Sequence, residues 1–253
     1  MAQSKRKGSA KKGNGAFYGV LAVIAVGGVA AIGYALMGSG GTAATELVEL
    51  DVASARALYE QATPVRLGSA DAPVKIIEFG DFQCPACGTF SLNVRPAIVE
   101  QYVNAGKAQF IFYDFPLVSI HDHAVLSARA ARCAGDQPAP ASGQASDEGD
   151  GAYWAYHDYL FEKQNDWAYQ QGSVADDFVA YARELGLDAD AFESCLNSDR
   201  YADVVTANRR LGDQLRITGT PTVLVNNQRL GAPNTVQLSQ AIEVALGSQN
   251  TGQ

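Results

Sequence analysis

No acidic residue stands among the first 45 positions, only four cysteines occur in 253 residues, and no basic stripe runs through the rest of the chain. Each absence narrows the field. Lys5, Arg6, Lys7, Lys11 and Lys12 precede the first acid, Glu46. Setting those five aside leaves 14 of the 19 Lys and Arg against 27 Asp and Glu, a formal charge of −13 for the remainder. A body so charged repels phosphate backbones, which excludes a nucleic-acid partner. Zinc is disfavoured by the lack of a second close cysteine pair. Cys84 and Cys87 are near each other, but Cys133 and Cys195 stand alone, and nothing in the sequence aligns His121 or His123 with Cys84. The expectation is no metal and no cofactor.

Charge is also absent from Ala16 to Met37, "AFYGVLAVIAVGGVAAIGYALM". As a helix this stretch would span roughly 33 Å, against about 30 Å of bilayer hydrocarbon. Tyr18 and Tyr34 lie near its ends, and the basic flank precedes it. That order keeps the N-terminus cytoplasmic and exports the body. A retained anchor is expected; a cleaved signal peptide, whose apolar core is normally shorter, is the alternative. No cysteine follows closely enough to carry a lipid. Outside the cytoplasm disulfides persist, so four cysteines suggest two pairs, with three pairings open.

The remaining length suits one sizeable domain. "GSGGTAA" reads as a spacer, and "TELVELDVASARALYEQ" as a short juxtamembrane helix. "DAPVKIIEFGDF" predicts a strand, the residues from Cys84 to about Asn104 a helix, and "AQFIFYDFP" a central strand, together one βαβ unit. Asp122 is placed to cap a helix reaching Cys133. Residues 135–151 are rich in Pro, Gly, Ser and acid and read as a surface loop. Helical patterns follow in "YWAYHDYLFEKQ", in "SVADDFVAYARELG" with Ser173 and Asp176 as a capping-box start, and in "DADAFESCLN" and "DRYADVVTANRRLGDQLR". "PTVLVNNQRL" predicts a hairpin turning at Asn226-Asn227, and "TVQLSQAIEVAL" a closing helix. The order is that of an α/β, thioredoxin-like sheet with helices inserted as a cap.

"FGDFQCPACGTF" then poses the chemical question. A crosslink over two residues closes almost no loop and stabilises little. A redox couple fits better. Cys84 falls at the junction of strand and helix, where unpaired N–H groups and the helix dipole favour a thiolate. Pro85 sits where its missing N–H costs nothing, and Cys87, one turn on, can resolve a mixed disulfide. Glu78, inside an apolar strand, is either partly buried with a raised pKa and able to move protons to Cys87, or a strand-end acid reaching solvent. Thr220-Pro221 precedes a strand, which an ordinary strand-entry proline also explains. Cys133 and Cys195, if paired, close a loop of about 62 residues and staple the cap; two buried thiols are the alternative. His121 and His123 read as a helix start before they read as metal ligands. Trp154, Tyr156, His157 and Tyr159 fit a core, with a peptide groove as the other possibility.

These segments, with "YDFPLVSIHDHAVLSARAARCA" and "ITGTPTVLVNNQ", make the chain similar to DsbA-type thiol–disulfide oxidoreductases over roughly 65–246, and to their membrane-anchored forms with a second disulfide. The resemblance implies Cys84 as exposed nucleophile, Cys87 as resolving thiol, a cis Pro221 after Thr220, and Glu78 as buried acid. It implies unfolded or reduced exported proteins as substrates and a quinone-linked membrane thiol oxidase, of DsbB or VKOR type, as reoxidising partner. One departure stands out. Strong oxidants of the family often carry His between the cysteines; here Pro85-Ala86 leaves that charge out, so a moderate potential and an isomerase or reductase direction stay open. So does a tethered binding module without chemistry. The expected layout is a cytoplasmic tail 1–15, an anchor 16–37, a linker with juxtamembrane helix 38–64, a thioredoxin-like domain 65–121 and 213–247, a helical insertion 122–212 and a tail 248–253, with the catalytic body extracytoplasmic.

Overall fold

Two runs of β-branched and aromatic residues, Val74–Gly80 (β2) and Ala108–Asp114 (β3), lie parallel at the centre of a five-stranded sheet of order β1-β3-β2-β4-β5. This is a computed structural model, and it describes residues 45–140 and 150–250. β1 (Val65–Leu67), β4 (Thr222–Val225) and β5 (Gln228–Gly231) complete the sheet with antiparallel pairings. The charge-free segment Ala16–Met37 lies outside the described residues; among those described, no helix is long and apolar enough to cross a membrane.

Strand alternation sorts the core into two layers. Val74, Ile76, Phe110 and Phe112 face one side, where they meet α2 (Pro85–Asn93), α3 (Arg95–Ile98), α5 (Tyr153–Glu162) and α10 (Thr235–Asn250). Phe79, Ile111 and Tyr113 face the other, against α1 (Ala55–Gln61) and α9 (Ala202–Gln214). With both faces covered, all seven residues of β3 are buried, which is why its sequence hardly alternates. Between β3 and β4 the regular elements among the described residues are all helices: α4 (Ala124–Gly135), α5, α6 (Gln164–Trp167), α7 (Ala175–Glu184), α8 (Ala189–Leu196) and α9. The hairpin turns at Asn226-Asn227, where Asn226 takes a left-handed φ of 49° that its short side chain tolerates.

Several expectations need correction. The juxtamembrane helix is only Ala55–Gln61, started by Ser54, whose Oγ accepts from Ala57 N. Residues before it run along α9 instead: Val48 N donates to Thr206 Oγ1 and Arg210 to the Leu50 carbonyl, so side chains replace helical hydrogen bonds. The helix after Cys84 breaks at Val94, because Pro96 has no N–H and its ring crowds the Leu92 carbonyl; the run resumes through α3 and a π-helical turn, Val99–Val103. Asp122 does not cap α4. A turn in which Ile120 and His121 both donate to the Leu117 carbonyl carries the chain one residue further, and His123 takes the cap position. Ser173 is one residue too early for a capping box: Val174 is the cap residue, and Ser173 Oγ accepts only from Ala175 N. Strand β1 has no counterpart in the sequence reading. Of the aromatic group, Trp154, Tyr156 and His157 are fully buried core, while Tyr159 is only partly buried and its hydroxyl donates to Glu184.

Candidate active site

Cys84 is the residue before the first turn of α2, with extended φ and ψ of −75° and 121° and Pro85 immediately inside the helix. Pro85 and Ala86 are exposed, while Cys87 is fully closed off. The two sulfurs are unbonded. Cys84 itself is 7% exposed, narrower than the open nucleophile the resemblance implies. It is covered by the Thr220–Pro221 segment, a cis peptide, and its thiol lies 3.4 Å from the Thr220 carbonyl oxygen.

The two thiols are driven apart in acidity. Cys84 is pulled down to about 5: the Cys87 thiol hydrogen-bonds to it, and the Thr220 side chain and the N–H groups of Cys87 and Ala86 add to this, against burial. Burial pushes Cys87 up, and its donation to Cys84 and the charges of Glu78 and Cys84 add to that. Glu78 points from β2 into the layer that holds Cys87. Both of its oxygens are buried without partners, and burial lifts its pKa to about 8 despite the positive charge of Arg95. Gly80, two residues on, leaves room for the Phe112 ring; a Cβ there would lie 2.4 Å from it.

Residues that the sequence reading did not single out hold this geometry. Gln164 Nε2, at the start of α6, donates to the carbonyls of Phe82 and Cys84 at 2.7 and 3.0 Å, which pins the loop into α2. Gln83 reaches Ala168 O at 2.6 Å and accepts from His123 N. Asp81 is buried, its N–H lies 3.5 Å from Cys87 Sγ, and its carbonyl accepts from Cys84 N. The partners of Gln164 and Gln83 lie 40 to 85 positions away, beyond the reach of local pattern. His121 and His123 do not converge. His121 Nδ1 meets Asp81 and His123 Nε2 meets the Gln170 carbonyl. Among the described residues no group of three or more His, Cys, Asp or Glu forms a metal site. Cys133 and Cys195, from α4 and α8, are joined as a disulfide with Cα atoms 5.8 Å apart.

The family model described as "Thioredoxin" matches residues 60–244, most of the chain. The chain belongs to the thioredoxin family. Its relatives include proteins named for disulfide bond formation, and its solved neighbours include DsbA proteins that share the fold. The chain is 28% identical over 193 residues to the probable disulfide bond formation protein D of Bacillus anthracis, covering 75% of this chain and 81% of that protein. The oxidised BdbD of Bacillus subtilis superposes with a TM-score of 0.61 at 24% identity, covering 74% of this chain and 97% of that one, and this likeness carries the fold. A third relative is the Na(+)/H(+) antiporter NhaA 3 of Salinispora tropica, 31% identical over 182 residues; the match covers 72% of this chain but only 24% of that protein's length.

Proposed function

We propose that the chain is an exported, membrane-anchored thiol–disulfide oxidoreductase that introduces disulfides into exported proteins through the Cys84–Cys87 couple. The observation that carries the proposal is the unequal pair: a thiol near pKa 5 at a helix start beside the cis Pro221, and a buried partner with a raised pKa. A substrate thiolate attacks Sγ of oxidised Cys84. The Cys84–Cys87 bond breaks, and its electron pair leaves on Cys87, which takes up a proton. Glu78, near pKa 8, is placed to supply it. A second substrate thiolate then attacks the substrate sulfur of the mixed disulfide and expels Cys84. The substrate loses two electrons and the couple gains them. Cys84 is a good leaving group because its pKa is low, which favours donation of disulfides over their reduction.

The anchor at Ala16–Met37, an extracytoplasmic body and a quinone-linked oxidase of DsbB or VKOR type as partner belong to the same proposal. They rest on the charge pattern of the N-terminus and the resemblance to disulfide-forming relatives. A Cys87→Ser chain expressed in cells should accumulate mixed disulfides at Cys84, seen as reductant-sensitive adducts. Absence of adducts would leave a binding module. For the direction of transfer, a reduction potential near about −120 mV supports the oxidase and one near about −270 mV a reductase.

A further inference from the structure

Asp81 occupies an unusual position between the redox pair and a histidine that the sequence does not connect to it. Its backbone touches both cysteines: the N–H lies 3.5 Å from Cys87 Sγ and the carbonyl accepts from Cys84 N at 3.0 Å. Its carboxylate, closed off from solvent, accepts from Gln83 N at 2.8 Å, Leu117 N at 2.9 Å and His121 Nδ1 at 2.7 Å. Two of these donors are neutral backbone groups, and among the described residues the side chain paired with this buried carboxylate that can carry a positive charge is His121. His121 arrives from the loop between β3 and α4, forty positions away, and is 14% exposed.

We propose that Asp81 positions the His121 imidazolium in the neighbourhood of Cys84, where Pro85-Ala86 leave the motif without a charge, and that this imidazolium raises the oxidising power of the couple. The attraction exists only in the reduced form. Reduction takes the disulfide plus two electrons and one proton to a Cys84 thiolate and a Cys87 thiol, and only the thiolate draws on the nearby positive charge. The charged groups found beside His121 act in the same direction. Asp81 lies behind it, Cys84 and Asp122 favour its protonated form, and Glu46 lines the cleft on its open side with Thr45, Leu47, Val118 and Asp122. Among the described residues no Lys or Arg lines that cleft. Its pKa is accordingly raised, first by the hydrogen bond to Asp81.

This inference rests on the redox reading of the couple, and its test separates the two. The whole chain is equilibrated with reduced and oxidised glutathione across pH 5 to 9, as wild type and as His121→Gln, which keeps a donor toward Asp81 but no charge. The variant should be on the order of tenfold less oxidising at neutral pH, a drop of about 30 mV by the two-electron relation. The gap should close at alkaline pH, where His121 of the wild type is neutral. A gap independent of pH would mark a merely structural role and overturn the proposal, as would no gap. Either result leaves the redox reading standing, whereas a couple that does not exchange with glutathione removes both. A second measurement needs no variant. The His121 imidazole, followed by NMR in the wild-type chain, should titrate at higher pH in the reduced than in the oxidised protein. Equal midpoints would overturn the pairing even if His121→Gln failed to fold.

Discussion

At the scale of single residues, Cys84 and Glu78 respond to pH in opposite directions over much the same range. The Cys84 pKa falls from 9.0 to about 5 on folding, so it contributes stability to the reduced protein that is fully present above about 9 and is lost as pH falls through about 5. Glu78 rises from 4.5 to about 8, so what it contributes is fully present below about 4.5 and is lost as pH rises through about 8. A wild-type profile alone would blur the two; single substitutions separate them. Urea unfolding of the reduced protein should show its advantage over Cys84→Ser widening from pH 5 to pH 8, and a constant difference would contradict a thiolate near 5. Glu78→Gln should do the reverse, growing more stable than wild type as pH rises from 5 to 8 in thermal unfolding. If the two curves run parallel, Glu78 is not the buried acid described. The same Gln substitution should slow release of Cys87 from the disulfide, read as a slower single turnover with a small dithiol.

At the scale of elements, the insertion between β3 and β4 is fastened to itself and to the sheet by separate devices. The Cys133–Cys195 bond ties α4 to α8 across 62 positions, worth about 4 kcal/mol on the chain-entropy model. Replacing both by Ala should lower the unfolding free energy by about that amount, while the thiolate absorbance of Cys84 keeps its midpoint. No loss of stability would mean that the bond does not form in the protein. Farther along the same layer, Arg132 of α4 meets Asp114 of β3 at 2.6 Å, and Gln164 of α6 holds the loop before α2. What could be read from the sequence follows this division. Helix starts with a proline, apolar runs and an Asn-Asn turn are local signals, so β2, β3, the Cys84 junction and the β4–β5 hairpin could be read directly. The three-residue β1 has too little pattern of its own and exists because β3 offers it an edge. The break at Val94 is encoded by Pro96, which the expectation of one helix to Asn104 leaves out of account. Asp81, Gln83 and Gln164 are polar residues in unremarkable surroundings, and only the fold brings Asp81 to His121, Gln83 to Ala168 and Gln164 to Phe82.

At the scale of the whole molecule, the cleft beside His121 is connected to the redox pair through Asp81. Thr45, Glu46 and Leu47 line the cleft on which His121 opens, and His121 is held by Asp81, whose backbone contacts Cys87 Sγ and Cys84 N. This placement constrains how the protein can be engineered. A bulky partner such as a fluorescent protein, spliced directly ahead of residue 45, should hinder a reduced protein substrate far more than a small dithiol; a long Gly-Ser spacer should restore the lost rate. Equal rates for both substrates without the spacer would mean that this doorway is wider than the side chains around it suggest. A laboratory preparing the body for assay would therefore do well to leave that threshold clear of any handle.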